Sequence, residues 1–117
     1  MTHNLHLIRE ILSKIEQDCF EGAYCQITPN GFPEYSAGEV NYNVRLIVER
    51  GLAKGRETLS GFYIEKLTWD GHDFLDNARK INIWRAATNA AGDLSFSVFQ
   101  KVLEAAATRE AMKTLEM

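Results

Sequence analysis

The stretch that decides the fold runs from Ser36 to Leu75 and reads SAGEVNYNVRLIVERGLAKGRETLSGFYIEKLTWDGHDFL. It opens with an S-x-x-E capping box, in which Ser36 and Glu39 can accept hydrogen bonds from backbone N–H groups that a helix start leaves unpaired. Val40, Val44, Ile47 and Val48 then recur at helical spacing. Gly51 follows them, and glycine is the residue type that most often ends a helix. This part predicts a helix between Ser36 and Gly51.

The rest of the stretch predicts a hairpin and a further helix. Residues 52–57 and 62–67 are candidate antiparallel strands, and the loop Thr58-Leu59-Ser60-Gly61 joins them. Thr68 follows the second strand directly and is a favoured helix N-cap. The order helix, hairpin, helix is typical of a winged-helix module in which the hairpin is the wing. The sequence therefore predicts an α+β fold, a winged helix-turn-helix-like domain with a small β-hairpin wing.

The flanking segments complete a single predicted domain over residues 1–117. An apolar stripe predicts a first helix over residues 4–18, and residues 24–27 form a short candidate strand. We expect the core to cover about residues 4–88, with a bend near 80–82 and an extra C-terminal helix over about 93–115. Three aromatic residues are expected to supply core packing, namely Trp69, Phe74 and Trp84.

The predicted C-terminal helix carries its own apolar stripe. Its members are Phe96, Phe99, Val102 and Leu103. A stripe of this size is more apolar surface than a small domain leaves in water. We therefore expect this helix to pack on the first helix or across a two-fold axis, which makes a homodimer through the C-terminal helix a candidate assembly.

Composition and charge restrict the class of protein. The 117 residues are 45% hydrophobic and 25% charged, which is typical of a globular domain, and the net charge is −3. A general polyanion binder would be strongly basic, so that class is disfavoured. The chain shows no secretory signal and no apolar stretch long enough to span a bilayer. Cys19 and Cys25 are therefore expected to be reduced thiols in a cytoplasmic protein.

No residue set in the sequence predicts catalysis. His3 and His6 have helical spacing but no partners that would complete a zinc site, and His72 lies in a first helical turn beside acidic residues. Cys19 and Cys25 have neither CxxC spacing nor an adjacent base. We therefore expect no enzyme activity, no catalytic residue, no metal and no cofactor.

Two segments are candidates for contact with double-stranded DNA. Asn41, Tyr42 and Arg45 fall on the outward side of the helix after Ser36, where Arg45 and Asn41 could read bases. Lys54 and Arg56 lie in the first strand of the hairpin, where they could hold phosphates. The alternative is a solvated surface, because Glu49 shares the helix face and Glu57 follows Arg56 in the strand.

The chain also resembles a known family. The string Leu67-Thr68-Trp69-Asp70-Gly71-His72-Asp73-Phe74-Leu75 and the helix ending Glu49-Arg50-Gly51-Leu52 are similar to the domain of unknown function 2513 family. These are small bacterial and prophage-associated proteins. The resemblance implies a winged-helix fold and a mobile-element context, and it implies no reaction.

The sequence leaves two functions open. The first is a DNA-binding winged-helix protein, a small transcriptional regulator of phage or prophage type. The second is a winged-helix module that binds a protein partner and no DNA. A continuous positive surface over Arg45, Lys54 and Arg56 favours DNA. A surface interrupted by Glu49 and Glu57, with Leu46 exposed, favours a protein.

Overall fold

A computed structural model describes residues 2–20 and 22–115, which fold into a mixed α+β structure. Five α-helices, a short 3-10 helix and a three-stranded antiparallel sheet occur within these residues. The chain divides into two compact units, and the boundary lies after His72. In chain order the elements are α1 Leu5–Asp18, β1 Cys25–Ile27, the 3-10 helix Pro29–Gly31, α2 Ala37–Glu49, β2 Ala53–Thr58, β3 Gly61–Leu67, α3 Trp69–Ala78, α4 Ile81–Ala91 and α5 Phe96–Leu115. The predicted α+β class is confirmed.

Helix α2 begins and ends where its sequence predicts. The Ser36 hydroxyl accepts a hydrogen bond from the Glu39 backbone N–H at 3.1 Å. At the other end Gly51 has a φ of +75°, and its N–H donates to the Val48 carbonyl while that of Leu52 donates to Ile47. These two bonds form a Schellman motif, which satisfies carbonyls that the end of a helix leaves unpaired. Both predicted boundaries are confirmed.

The predicted hairpin is also confirmed, and it belongs to a sheet with the strand order β1-β3-β2. Phe62 and Ile64 are buried, whereas Tyr63 between them is partly exposed. Since successive side chains of a strand point to opposite faces, one face of the sheet joins the core and the other is open. A register shift between Lys54 and Gly55 interrupts the pairing of β2 with β3.

Helices α1 and α2 bury their apolar faces together with one polar side chain. Asn43 is fully buried in α2. Its Nδ2 donates to the Glu39 carbonyl at 2.8 Å, and its Oδ1 accepts from the backbone N–H of Asn4 at 2.8 Å. Asn4 itself caps α1, because its side chain accepts from the Leu7 N–H. Asn43 therefore joins the start of α1 to α2 and satisfies buried polar groups.

The start of α3 differs from the prediction in one respect. Thr68 caps the helix as predicted, because its hydroxyl accepts from the Gly71 N–H at 3.1 Å, and its own N–H donates to the Leu52 carbonyl. Gly71 lies so close to that carbonyl that a Cβ atom would overlap it. Trp69, however, is 84% exposed, so its predicted role in the core is wrong. As the first residue after the cap, its side chain points to solvent.

The second unit is built on α4 and α5, which pack against each other. Phe96, Phe99 and Leu103 are buried, and the Phe99 ring meets Trp84 edge-on at 5.5 Å between centroids. Phe74 lies 5.6 Å from Phe96, so Phe74 and Trp84 are core residues as predicted. The apolar stripe of α5 thus packs within its own unit. The two predicted alternatives were packing on the first helix and packing across a two-fold axis. The homodimer stays a prediction and loses the argument that rested on this stripe.

Two further findings concern the cysteines and the membrane. Cys19 and Cys25 form a disulfide with their Cα atoms 5.2 Å apart, so the expectation of two reduced thiols is wrong. An antiparallel bridge between Phe20 and Ala23 turns the chain and brings Cys19 close to Cys25. Among the described residues, no helix has the length and apolar character needed to cross a membrane.

Candidate macromolecule-binding surfaces

The outward side of α2 is dominated by an ion pair between Arg45 and Glu57. The Arg45 Nε lies 3.2 Å from Glu57 Oε1 and its Nη2 lies 2.8 Å from Oε2, so the contact is bidentate. Hydrogen bonding to the Glu57 carboxylate raises the pKa of Arg45, and the same hydrogen bonds from Arg45 lower the pKa of Glu57. The guanidinium also lies 5.9 Å from the centroid of the Phe62 ring. Glu57 therefore engages the donors that would read a guanine.

The other residues on the outward side of α2 add no net positive charge. Glu49 and Arg50 are both exposed, and Tyr42 is partly exposed. The Asn41 Oδ1 is buried and has no hydrogen-bond partner. Because asparagine reads adenine through both its oxygen and its nitrogen, a buried Oδ1 does not suit that role. On this side of α2, Arg45 and Arg50 are thus matched by Glu49 and Glu57.

The two cations of β2 lie elsewhere. Arg56 is opposite Tyr63 in the strand register, and Glu57 is opposite Phe62. Since Phe62 is buried and Tyr63 is not, Arg56 points to the open face of the sheet while Glu57 points to the side that carries Arg45. The five predicted residues therefore do not form one surface. Asn41, Tyr42 and Arg45 belong to the α2 side, whereas Lys54 and Arg56 belong to the open sheet face.

The open sheet face combines aromatic and charged side chains. The Tyr24 and Tyr63 rings meet edge-on at 5.5 Å, and the Arg56 guanidinium lies 5.5 Å from the Tyr63 ring centroid. The Lys54 Nζ lies 3.4 Å from Glu65 Oε2. Together these residues line a cleft of about 410 Å³. Neither tyrosine was among the site residues predicted from the sequence, although the alternation of Phe62, Tyr63, Ile64 and Glu65 in β3 places Tyr63 on the side away from the core.

Among the exposed large hydrophobic side chains of the first unit, Leu59 and Trp69 are more exposed than Phe20 and Tyr24. Leu59, at the tip of the β2–β3 hairpin, is fully exposed, and Trp69 is 84% exposed. The Trp69 ring lies 6.1 Å from that of His72, and the two residues line a cleft of about 340 Å³ with Lys66, Leu67 and Thr68. His72 is also held by Glu16, with 3.7 Å between Nδ1 and Oε2. Within the residues that the structure describes, no three His, Cys, Asp or Glu side chains are grouped to hold a metal.

These features define a small α+β protein with a helix–hairpin–helix core, a charge-balanced helix surface and an open aromatic sheet face. The chain belongs to the DUF2513 family, whose description is "Hypothetical protein (DUF2513)" and whose pattern matches residues 2–97. It is similar to an uncharacterized protein of Haemophilus influenzae strain Rd, with 29% identity over 112 residues that cover 89% of this chain and 93% of the relative. No solved structure matches the chain. The predicted resemblance is confirmed.

Proposed function

We propose that this chain is a winged-helix-type module that binds a protein partner rather than duplex DNA. The order of α2, the β2–β3 hairpin and α3 supports the winged-helix assignment. A fold of this kind does not by itself determine a function, so the choice of ligand rests on the surface.

The observation that carries the proposal is the bidentate contact between Arg45 and Glu57. Non-specific DNA affinity comes from cations that neutralise phosphates. A recognition helix whose central arginine is already paired with a carboxylate, and which also presents Glu49, offers little to phosphates. This is the interrupted surface that favours a protein ligand.

Two exposed apolar residues favour a protein partner. Trp69 and Leu59 are large side chains that water surrounds in the isolated chain. Tryptophan is strongly enriched among the residues that dominate binding energy at protein interfaces. The tip of the hairpin carries a leucine where a DNA-binding wing benefits from a cation. We therefore expect Leu59 and Trp69 to be buried when a partner binds.

Site-specific photo-crosslinking tests the proposal. A benzophenone amino acid is placed at position 59 or 69 of the full chain, and at exposed Glu104 in α5 as a matched control. In cells of the source organism, we expect one discrete protein adduct from position 59 or 69 and none from position 104. Excess unlabelled protein should compete the adduct away, and the Trp69→Ala variant should compete poorly. Crosslinking to nucleic acid, or equal labelling from position 104, would contradict the proposal.

A second candidate is a DNA-binding regulator of phage or prophage type. It is favoured by Arg50 and Arg56, which make no ion pair among the described residues. If these cations hold phosphates, Arg56→Ala should weaken binding to every duplex and lower the salt dependence by about one unit. Arg45→Ala should instead relax base preference at one position if Arg45 leaves Glu57 to read a base.

A further inference from the structure

We propose that the open face of the sheet, formed by Tyr24, Lys54, Arg56 and Tyr63, binds single-stranded nucleic acid. This surface differs from the one that carries the proposed protein interaction, so the two proposals stand independently. Its ring geometry, its charges and the size of its cleft all suit such a ligand.

The two tyrosines provide the aromatic part of the site. Tyr24 is 52% exposed, and its ring stands nearly perpendicular to that of Tyr63, with an interplanar angle of 75°. An exposed ring can stack with any base, because every base has a π-face. Since the two rings contact each other edge-on, Tyr24 is held in place before a ligand arrives.

Arg56 adds a second flat surface and a positive charge. Its guanidinium lies over the Tyr63 ring, and it makes no ion pair within the described residues. Guanidinium planes stack on bases in the same way as aromatic rings. Arg56 can thus stack on a base through its plane and donate to a phosphate through its edge.

The remaining charges favour an anionic ligand of small cross-section. Lys54 and Arg56 face one carboxylate in the cleft, that of Glu65, which leaves a positive surplus. The volume of about 410 Å³ falls in the range of small-ligand clefts and suits one or two nucleotides, not the width of a duplex. A Cβ atom on Gly55 would overlap the Tyr63 carbonyl and the buried Ile64 side chain, so this position in β2 requires glycine. Exposed bases and a flexible backbone are what a single strand offers and a duplex does not.

Fluorescence anisotropy with the full chain tests this site. The probes are a labelled oligothymidylate of about 12 nucleotides, a strand of the same length without bases, and a mixed-sequence duplex. We expect the oligothymidylate to bind, and the abasic strand to bind about tenfold more weakly because one stacked base contributes about that factor. Tyr24→Leu and Arg56→Gln should each weaken binding about tenfold, whereas Glu65→Gln should strengthen it. Tyr35→Leu, in the segment before α2, is the matched control and should leave the affinity unchanged.

Several results would overturn the proposal. One is the absence of oligothymidylate binding, and another is equal affinity for the strand with and without bases. A third is equal affinity for thymidine monophosphate and for the strand, which would make the ligand a free nucleotide. Duplex binding as tight as strand binding would also refute it. Tyr24 is half-exposed, so Tyr24→Leu is expected to remain folded, and circular dichroism verifies that each variant keeps its helices.

Discussion

Replacing Asn43 by alanine should destabilise the first unit strongly. The substitution removes a fully buried side chain that makes two hydrogen bonds of 2.8 Å. The Glu39 carbonyl keeps a helical partner, but the backbone N–H of Asn4 is left without its acceptor in a partly buried place. A buried donor without a partner costs about 1–3 kcal/mol, and the lost packing adds to this. We expect the free energy of unfolding to fall by about 2–3 kcal/mol, which lowers Tm by roughly 10 °C.

Asn41→Ala is the matched control, because it is the same substitution two positions earlier in the same helix. The Asn41 Oδ1 is buried without a partner, so its removal sacrifices no hydrogen bond. Both variants gain the same helix propensity of alanine, which therefore cancels in the comparison. Thermal denaturation followed by circular dichroism measures both. If Asn43→Ala and Asn41→Ala were equally stable, the role assigned to Asn43 would be refuted.

Three further predictions concern a helix cap, the disulfide and the ion pair. Ser36→Ala should lower the free energy of unfolding by about 1 kcal/mol, measured by urea denaturation, because it removes the acceptor for the Glu39 N–H. The intact mass should correspond to an oxidised Cys19–Cys25 pair, and reduction should lower stability by about 2 kcal/mol because the bond closes a short loop; two free thiols in the untreated protein would contradict this. The pKa of Glu57, followed by NMR titration of its carboxyl group, should lie below the ordinary value of 4.5 and return towards it in Arg45→Met. Because folding lowers the pKa of Glu57, the ion pair stabilises the protein at pH values above the ordinary pKa. This stabilisation is lost as the pH falls through the lowered pKa.

Local sequence signals predicted the boundaries of the elements well. The N-cap at Ser36, the glycine at position 51 and the cap at Thr68 act over a few residues, and each lies where the structure requires it, whereas the Glu39 carboxylate accepts from Asn4 Nδ2 and does not complete the capping box. Such signals depend on backbone hydrogen bonds that neighbouring residues satisfy. Three of the four ends of the hairpin strands differ from the predicted ends by one residue, and the fourth is the same. A difference of one residue is the usual uncertainty of element ends.

The surfaces were harder to predict, because they depend on register and on residues distant in sequence. Arg45 and Glu57 are twelve positions apart, and they meet only because Glu57 lies opposite Phe62 in the sheet. The same alternation sends Arg56 to the open face, which separates two cations that the sequence places near each other. The hydrophobicity of Trp69 predicts a core position, but its place directly after the cap turns it to solvent.

The most direct test of the central claim is a fluorescence-anisotropy titration with a mixed-sequence DNA duplex at about 50 mM salt, where modest phosphate contacts still register. The wild-type chain should show no binding at tens of micromolar protein, because Glu57 and Glu49 balance the arginines of the α2 side. Glu57→Gln should acquire measurable, salt-sensitive binding, since it frees Arg45, and Glu104→Gln in α5 is the control that removes one negative charge elsewhere. Wild-type binding whose affinity falls steeply with salt, or equal gains in Glu57→Gln and Glu104→Gln, would contradict the account.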